Sequence, residues 1–187
     1  MKTVIGAFGA GLFAFILPVA ATAAGITYDC DTAANHFSEL ILPSVGTPFT
    51  VSGNVQLNAL AVSATFAPIT RIQIAAPSAP GQPSAAYAGF SLTALPADPK
   101  KTPSGAAAVQ MLSYNSNGKE DELLPFSITT KPGTVQPFTL SYDGNTVSVK
   151  LGNESKSFPL RTSEPVVRVI CSTGEFVFTN VTMKSSR

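Results

Sequence analysis

The sequence predicts an all-β protein, a two-sheet antiparallel β-sandwich built as one domain. Three observations carry that prediction. Segments rich in Val, Ile, Thr, Phe and Tyr alternate with clusters of Gly, Pro, Asn and Asp along most of the chain. Beyond the first two dozen residues nothing sustains a long helical period. The two cysteines, Cys30 and Cys171, stand near opposite ends of that β-rich stretch, where one bond would join an early strand to a late one.

The chain opens with an export signal. Lys2 is the only charge before Asp29, and an apolar run follows through Leu12, Phe13, Phe15, Ile16 and Leu17 to Pro18. Ala21 and Ala23 then supply the small-residue cleavage site of a secretory signal peptide, residues 1–23, leaving residues 24–187 as the mature domain. A retained membrane anchor is the competing reading, since the run is about long enough to span a bilayer. Gly6, Gly9, Gly11 and Pro18 weaken such a helix, and no basic stop-transfer cluster follows. We therefore expect a secreted or periplasmic product with no stable membrane insertion after cleavage. In that oxidising setting an even cysteine count reads as a Cys30–Cys171 disulfide. The alternative is two buried thiols. The bond would close a loop of about 140 residues, worth at most roughly 5 kcal/mol in the chain-entropy model.

Composition excludes several classes. The chain carries 12 Lys+Arg and 11 Asp+Glu, so losing Lys2 brings the net charge to zero. A basic footprint for nucleic acid is absent, as is a polybasic patch for anionic lipid. Charged residues make up only 12% of the chain, about half the usual share, so Ser, Thr, Asn and Gln must build the polar surface.

Taken in order, strands are expected at Ile26–Cys30, Phe49–Leu60, Ala64–Ala75, Tyr87–Leu95, Ala107–Tyr114 and Leu124–Thr129. Asn35–Leu42 reads as a short helix or a strand. Pro77–Pro83 and Pro96–Pro103 are surface loops, because proline has no N–H to give a central ladder. A meander then follows. Phe138, Leu140 and Tyr142 share one face, Asp143-Gly144-Asn145 turns, Val147, Val149 and Leu151 share the next face, and Gly152-Asn153-Glu154 turns again toward Phe158. Val166–Cys171 is the next strand, Ser172-Thr173-Gly174 is read as a hairpin turn, and Glu175–Met183 closes the domain.

The run Phe138-Thr139-Leu140-Ser141-Tyr142-Asp143-Gly144-Asn145-Thr146-Val147-Ser148-Val149, with Phe158 and the final Glu175–Val181 segment, resembles the C-terminal half of concanavalin A-like jelly rolls, the architecture of laminin G modules and galectins. The resemblance implies a jelly-roll sandwich whose last strand lies beside its first. It carries over no site residue.

The chemical inventory is thin, and an enzyme is not expected. His36 is the only histidine, no nucleophile-elbow motif is present, and both cysteines are committed to the disulfide. No strand carries the alternating carboxylates of jelly-roll glycosidases. Glu120, Asp121 and Glu122 form the one acidic cluster, a loop-borne calcium candidate whose simpler reading is a solvated hairpin tip. No cofactor is implied. For ligand binding, Tyr114 with Asn115 and Asn117 offers an aromatic beside amides, and Tyr87 is a second exposed-tyrosine candidate. Arg71 and Gln73 share the face of their strand opposite Ile72 and Ile74, where they could line a concave polar surface or simply meet solvent. The expected function is a non-catalytic binding module for a carbohydrate or cell-envelope glycan. The rival is a structural or adhesin-type envelope protein that docks a partner protein through its faces or edges.

Overall fold

The computed structural model describes residues 25–61, 63, 65–95, 108–116 and 121–186, with the backbone alone described at 108–116, 121–123, 128 and 129. The expected signal peptide and the expected Pro96–Pro103 loop lie outside the described residues. Ten strands follow in chain order: β1 (Ile26–Pro43), β2 (Phe49–Leu60), β3 (Ile69–Ala75), β4 (Tyr87–Leu95), β5 (Ala108–Ser116), β6 (Asp121–Thr130), β7 (Gln136–Tyr142), β8 (Thr146–Leu151), β9 (Glu154–Pro159) and β10 (Val166–Ser185). No helix forms among the described residues.

All pairings are antiparallel and run β6-β5-β4-β3-β10-β2-β7-β8-β9, with β1 beside β10. One continuous ladder becomes two layers because β1 and β10 bend together. Residues 166–172 of β10 pair with β3, while residues 174–185 pair with β2. β1 follows the same course, its Phe37–Pro43 half on the first section and its Ile26–Thr32 half on the second. The front layer is thus β6-β5-β4-β3 with the first half of β10, and the back layer is β2-β7-β8-β9 with the second half. Strands β3, β4 and β5 lie across from β7, β8 and β9.

The corner corrects one expectation. Ser172-Thr173-Gly174 does not reverse the chain: the strand runs through it for 20 residues. Thr173 adopts φ 59° and Asn35, on the neighbouring strand, φ 66°. These left-handed residues kink both strands where the register shifts. Side chains then satisfy the backbone groups that the broken ladder leaves. Thr32 Oγ1 donates to the Gly174 carbonyl at 2.8 Å and accepts from the Gly174 amide at 3.2 Å, and Ser172 Oγ donates to the His36 carbonyl at 2.8 Å. His36 itself is exposed.

Cys30 and Cys171 are bonded, with Cα atoms 6.3 Å apart. They are not ladder partners: Cys30 lies opposite Phe176 and Cys171 opposite Ser38. The bond therefore crosses the corner from back layer to front layer, and both residues are buried.

Between the layers the alternation resolves as expected along β7 and β8, where Phe138, Leu140, Tyr142, Val147, Val149 and Leu151 are all buried. Phe138 bridges the layers, its ring 5.5 Å from Phe90 of β4 and 6.2 Å from Phe178 of β10. The buried Tyr142 hydroxyl donates to the Gly144 carbonyl at 3.0 Å and accepts from the Thr162 amide at 3.2 Å. Two other expectations change and one open alternative is settled. The stretch from Ala64 enters the sheet only at Ile69, Asn35–Leu42 is strand, and the β5–β6 connection is shorter than expected because Asp121 and Glu122 begin β6.

The Asp143-Gly144-Asn145 turn closes as expected, with Gly144 at φ 107°. Asp143 Oδ1 accepts from the amides of Asn145 at 2.8 Å and Thr146 at 2.7 Å, which holds its carboxyl below its ordinary value. A carboxylate depressed in the folded state contributes stability above its ordinary range and loses it as pH falls through the folded value. The melting-temperature gap between wild type and Asp143→Ala should therefore be open at pH 6 and close as pH drops below about 4, read by calorimetry across pH. A gap that stays constant with pH would discount the charged hydrogen bonds.

At the open side of the sandwich, the strand edges guard each other. The Glu154 carboxylate of β9 accepts from the Ser127 amide of β6 at 3.0 Å, and the Lys156 ammonium sits 5.8 Å from the centre of the Phe126 ring. An edge amide that would otherwise recruit another strand is thereby occupied.

Candidate functional site

The outer face of the front layer holds the candidate site. On β3, Ile72 and Ile74 point into the core, so Arg71 and Gln73 emerge outside. On β10, Val167 and Val169 point inward, which puts Arg168 and Ile170 beside them on the outer face. The ladder pairs Gln73 with Arg168 and Arg71 with Ile170, and β1 continues the rows with Ile41 and Glu39. Gly89 of β4 lies opposite Gln73, and a Cβ there would clash with the Ile72 carbonyl oxygen. The strands approach closely at this point, and no side chain rises from it.

The Pro-rich connection between β3 and β4 folds over this face instead of extending into solvent, and Arg168 is the reason. Its side chain is only 3% exposed yet charged, so it must be compensated. Nε donates to Glu39 Oε1 at 2.5 Å, and Nη2 forms an ion pair with the same oxygen. Nη1 donates to Ser78 Oγ at 2.5 Å, to the Gln82 carbonyl at 2.8 Å and to Ser84 Oγ at 2.7 Å. Glu39 Oε2 accepts from the Gly81 amide at 2.9 Å. One guanidinium and one carboxylate thus hold both limbs of the loop, and both carboxylate oxygens are engaged.

The loop and the sheet enclose a depression of about 320 Å³. Phe37, Arg71, Gln73, Tyr87 and Ile170 line it, with the Arg168–Glu39 pair and the loop residues 81–84 forming one wall. Phe37 is 63% exposed, Arg71 is exposed, Tyr87 is half-buried, and Gln73 is buried at 4% beneath the wall. Three of the sequence-derived candidates, Arg71, Gln73 and Tyr87, therefore meet in one concavity. Phe37, Glu39 and Arg168 complete it and were not anticipated. The one visible sign was Arg168, a single charge inside the apolar run Val166-Val167-Arg168-Val169-Ile170.

The remaining candidates are placed by backbone only or not at all. Tyr114 is the β5 ladder partner of Gly89, one strand beyond Gln73, and Asn115 is the partner of Ala88. Their side chains lie outside the described residues, as do those of Asp121 and Glu122. Asn117 and Glu120 lie outside entirely, so the calcium candidate as a group does too. Among the described residues no three His, Cys, Asp or Glu side chains gather closely enough to hold a metal ion.

No protein-family model matches the sequence, and no curated protein resembles it in sequence. Solved structures do match in shape. An alginate lyase from Alteromonas sp. 272 superposes with a TM-score of 0.54 at 11% identity, covering 88% of this chain and 89% of that one. The carbohydrate-binding module CBM66 from Bacillus subtilis gives 0.52 at 11% identity, covering 86% and 92%. A Bacteroides ovatus GH16 from a mixed-linkage glucan locus, in complex with its product, gives 0.56 at 6% identity, covering 87% and 82%. At such identities the likeness establishes the fold, and the fold is the concanavalin A-like jelly roll.

Proposed function

We propose that this protein is an exported, non-catalytic glycan-binding module and that the front-layer depression is its binding site. The observation that carries the reading is the convergence of Phe37 and Tyr87 with Arg71 and Gln73 on one concave surface. A sugar ring presents apolar C–H faces and a polar hydroxyl edge, and a site for it combines an aromatic surface with a few fixed polar groups. Glycan-handling proteins among the structural neighbours support the choice of ligand class, since one is named a carbohydrate-binding module and another holds its oligosaccharide product.

The carboxylates count against glycoside hydrolysis. Glycoside hydrolysis needs two, about 5–9.5 Å apart across the scissile bond. Glu39 is the one carboxylate among the described lining residues, and Arg168 and Gly81 engage both its oxygens. Export rests on the signal-like start and on a disulfide that needs an oxidising compartment to form and persist.

Affinity electrophoresis of the oxidised domain through gels containing mixed-linkage glucan or alginate tests the reading. Retardation is expected in one of them. Phe37→Ala and Tyr87→Ala should each weaken it about tenfold, which corresponds to about 1.4 kcal/mol of lost contact. A protein that migrates unretarded in every polysaccharide gel, or a double alanine variant as strongly retarded as wild type, would overturn it.

A further inference from the structure

We propose that Arg168 is the positioning residue of this site, holding the 77–84 segment as a preformed wall of the depression so that ligand meets a finished surface. The inference rests on the glycan reading for what the wall serves, but not for how the wall is held.

The segment ties its limbs only to each other: Ser78 Oγ donates to the Gln82 carbonyl at 3.0 Å and lies 3.3 Å from Ser84 Oγ. Pro77, Pro80 and Pro83 supply no amide donors. The backbone bonds here are Gln82 N–H to the Ala79 carbonyl at 3.0 Å, a local turn, and Ala76 N–H to the Ala86 carbonyl at 2.8 Å, at the base. Neither ties the tip to the sheet. That connection comes from Arg168, whose Nη1 reaches Ser78, Gln82 and Ser84, and from Glu39, whose Oε2 takes the Gly81 amide. Arg168 is in turn fixed by the ladder between Val167 and Val169, whose side chains are locked in the core. Position therefore passes from the packed core through one guanidinium to the loop. A lysine at 168 would still balance Glu39, but as a point charge with three donors it lacks the fork that spans both limbs. A preformed wall also spares the ordering cost that a mobile loop imposes on binding.

Two variants test this by amide hydrogen exchange and by the same polysaccharide gels. Arg168→Lys keeps the charge pair. Glu39→Gln with Arg168→Met removes both charges yet leaves an acceptor oxygen for Gly81. In each, the Gly81 amide should exchange at least tenfold faster, while the amides of Ala76 and Val169 keep their protection. Retardation should weaken at least tenfold in whichever gel retards the wild type. A purely structural Arg168 would lower the melting temperature and leave native-state exchange at Gly81 and the retardation below that temperature unchanged. That outcome overturns the proposal. Should exchange accelerate while the wild type is held by neither gel, the loop-holding role stands and the glycan reading falls.

Discussion

Arg168→Met alone should cost about 3–5 kcal/mol, a large part of the total stability of a domain of this size. The loss comes less from the missing contacts than from what is left behind. Glu39 would be left as a buried acid without the guanidinium that compensates it, its side chain 6% exposed and Oε1 facing a thioether. Ser78 Oγ, Ser84 Oγ and the Gln82 carbonyl would also lose the guanidinium, although the Gln82 carbonyl keeps the Ser78 hydroxyl at 3.0 Å. An uncompensated buried charge costs more than a buried pair contributes, so adding Glu39→Met should restore most of the loss. Urea denaturation of the two variants beside wild type measures both effects. A single variant within about 1 kcal/mol of wild type would show that solvent reaches the pair and that the burial argument is mistaken.

Replacing both cysteines by alanine should cost about 2–5 kcal/mol, the second of the two large effects. The bond spans 141 residues, so its absence frees nearly the whole described chain in the unfolded state. The corner adds to this, because Cys30 and Cys171 join layers whose ladder is already interrupted between Thr32 and Phe37. Equilibrium denaturation of the double variant, and of wild type with and without reductant, gives the magnitude. Two titratable thiols in the unreduced, denatured protein would remove the bond from the account.

Much of the fold was legible because local pattern and tertiary outcome agree. β2 and β4 occupy the expected residues, and the β7–β9 meander follows from alternation and from glycines at its turns. The failures fall where one local signal admits two tertiary outcomes. Ser172-Thr173-Gly174 has the residues of a turn, and the same tolerance of positive φ lets a strand bend without reversing. The partners on β1, β2 and β3 decide between them, and they lie about 100 or more residues away. Asn35–Leu42 was ambiguous for the same reason, which hid Phe37 and Glu39 from the site.

Arg71 and Gln73 could be placed on one face from period two alone, and Tyr87 from the strand it opens. What alternation could not supply was the cover. Gln73 is buried on an outer face, in a depression walled by a loop that is held by an arginine 90 residues after Ser78. Polar residues on an outer face give no sign of what will later lie above them.

The shared course of β10 through both layers has a consequence for how the molecule is made. β10 is the last strand in chain order among those described, and it alone links the β3–β6 group to the β2 and β7–β9 group in the ladder. While residues 166–185 are missing, the two groups share no strand and β1 has no partner. Assembly must therefore wait for the end of β10, and its long-range pairings place the domain among slow-folding topologies. A chain still being synthesised is held open by its own topology until that strand arrives.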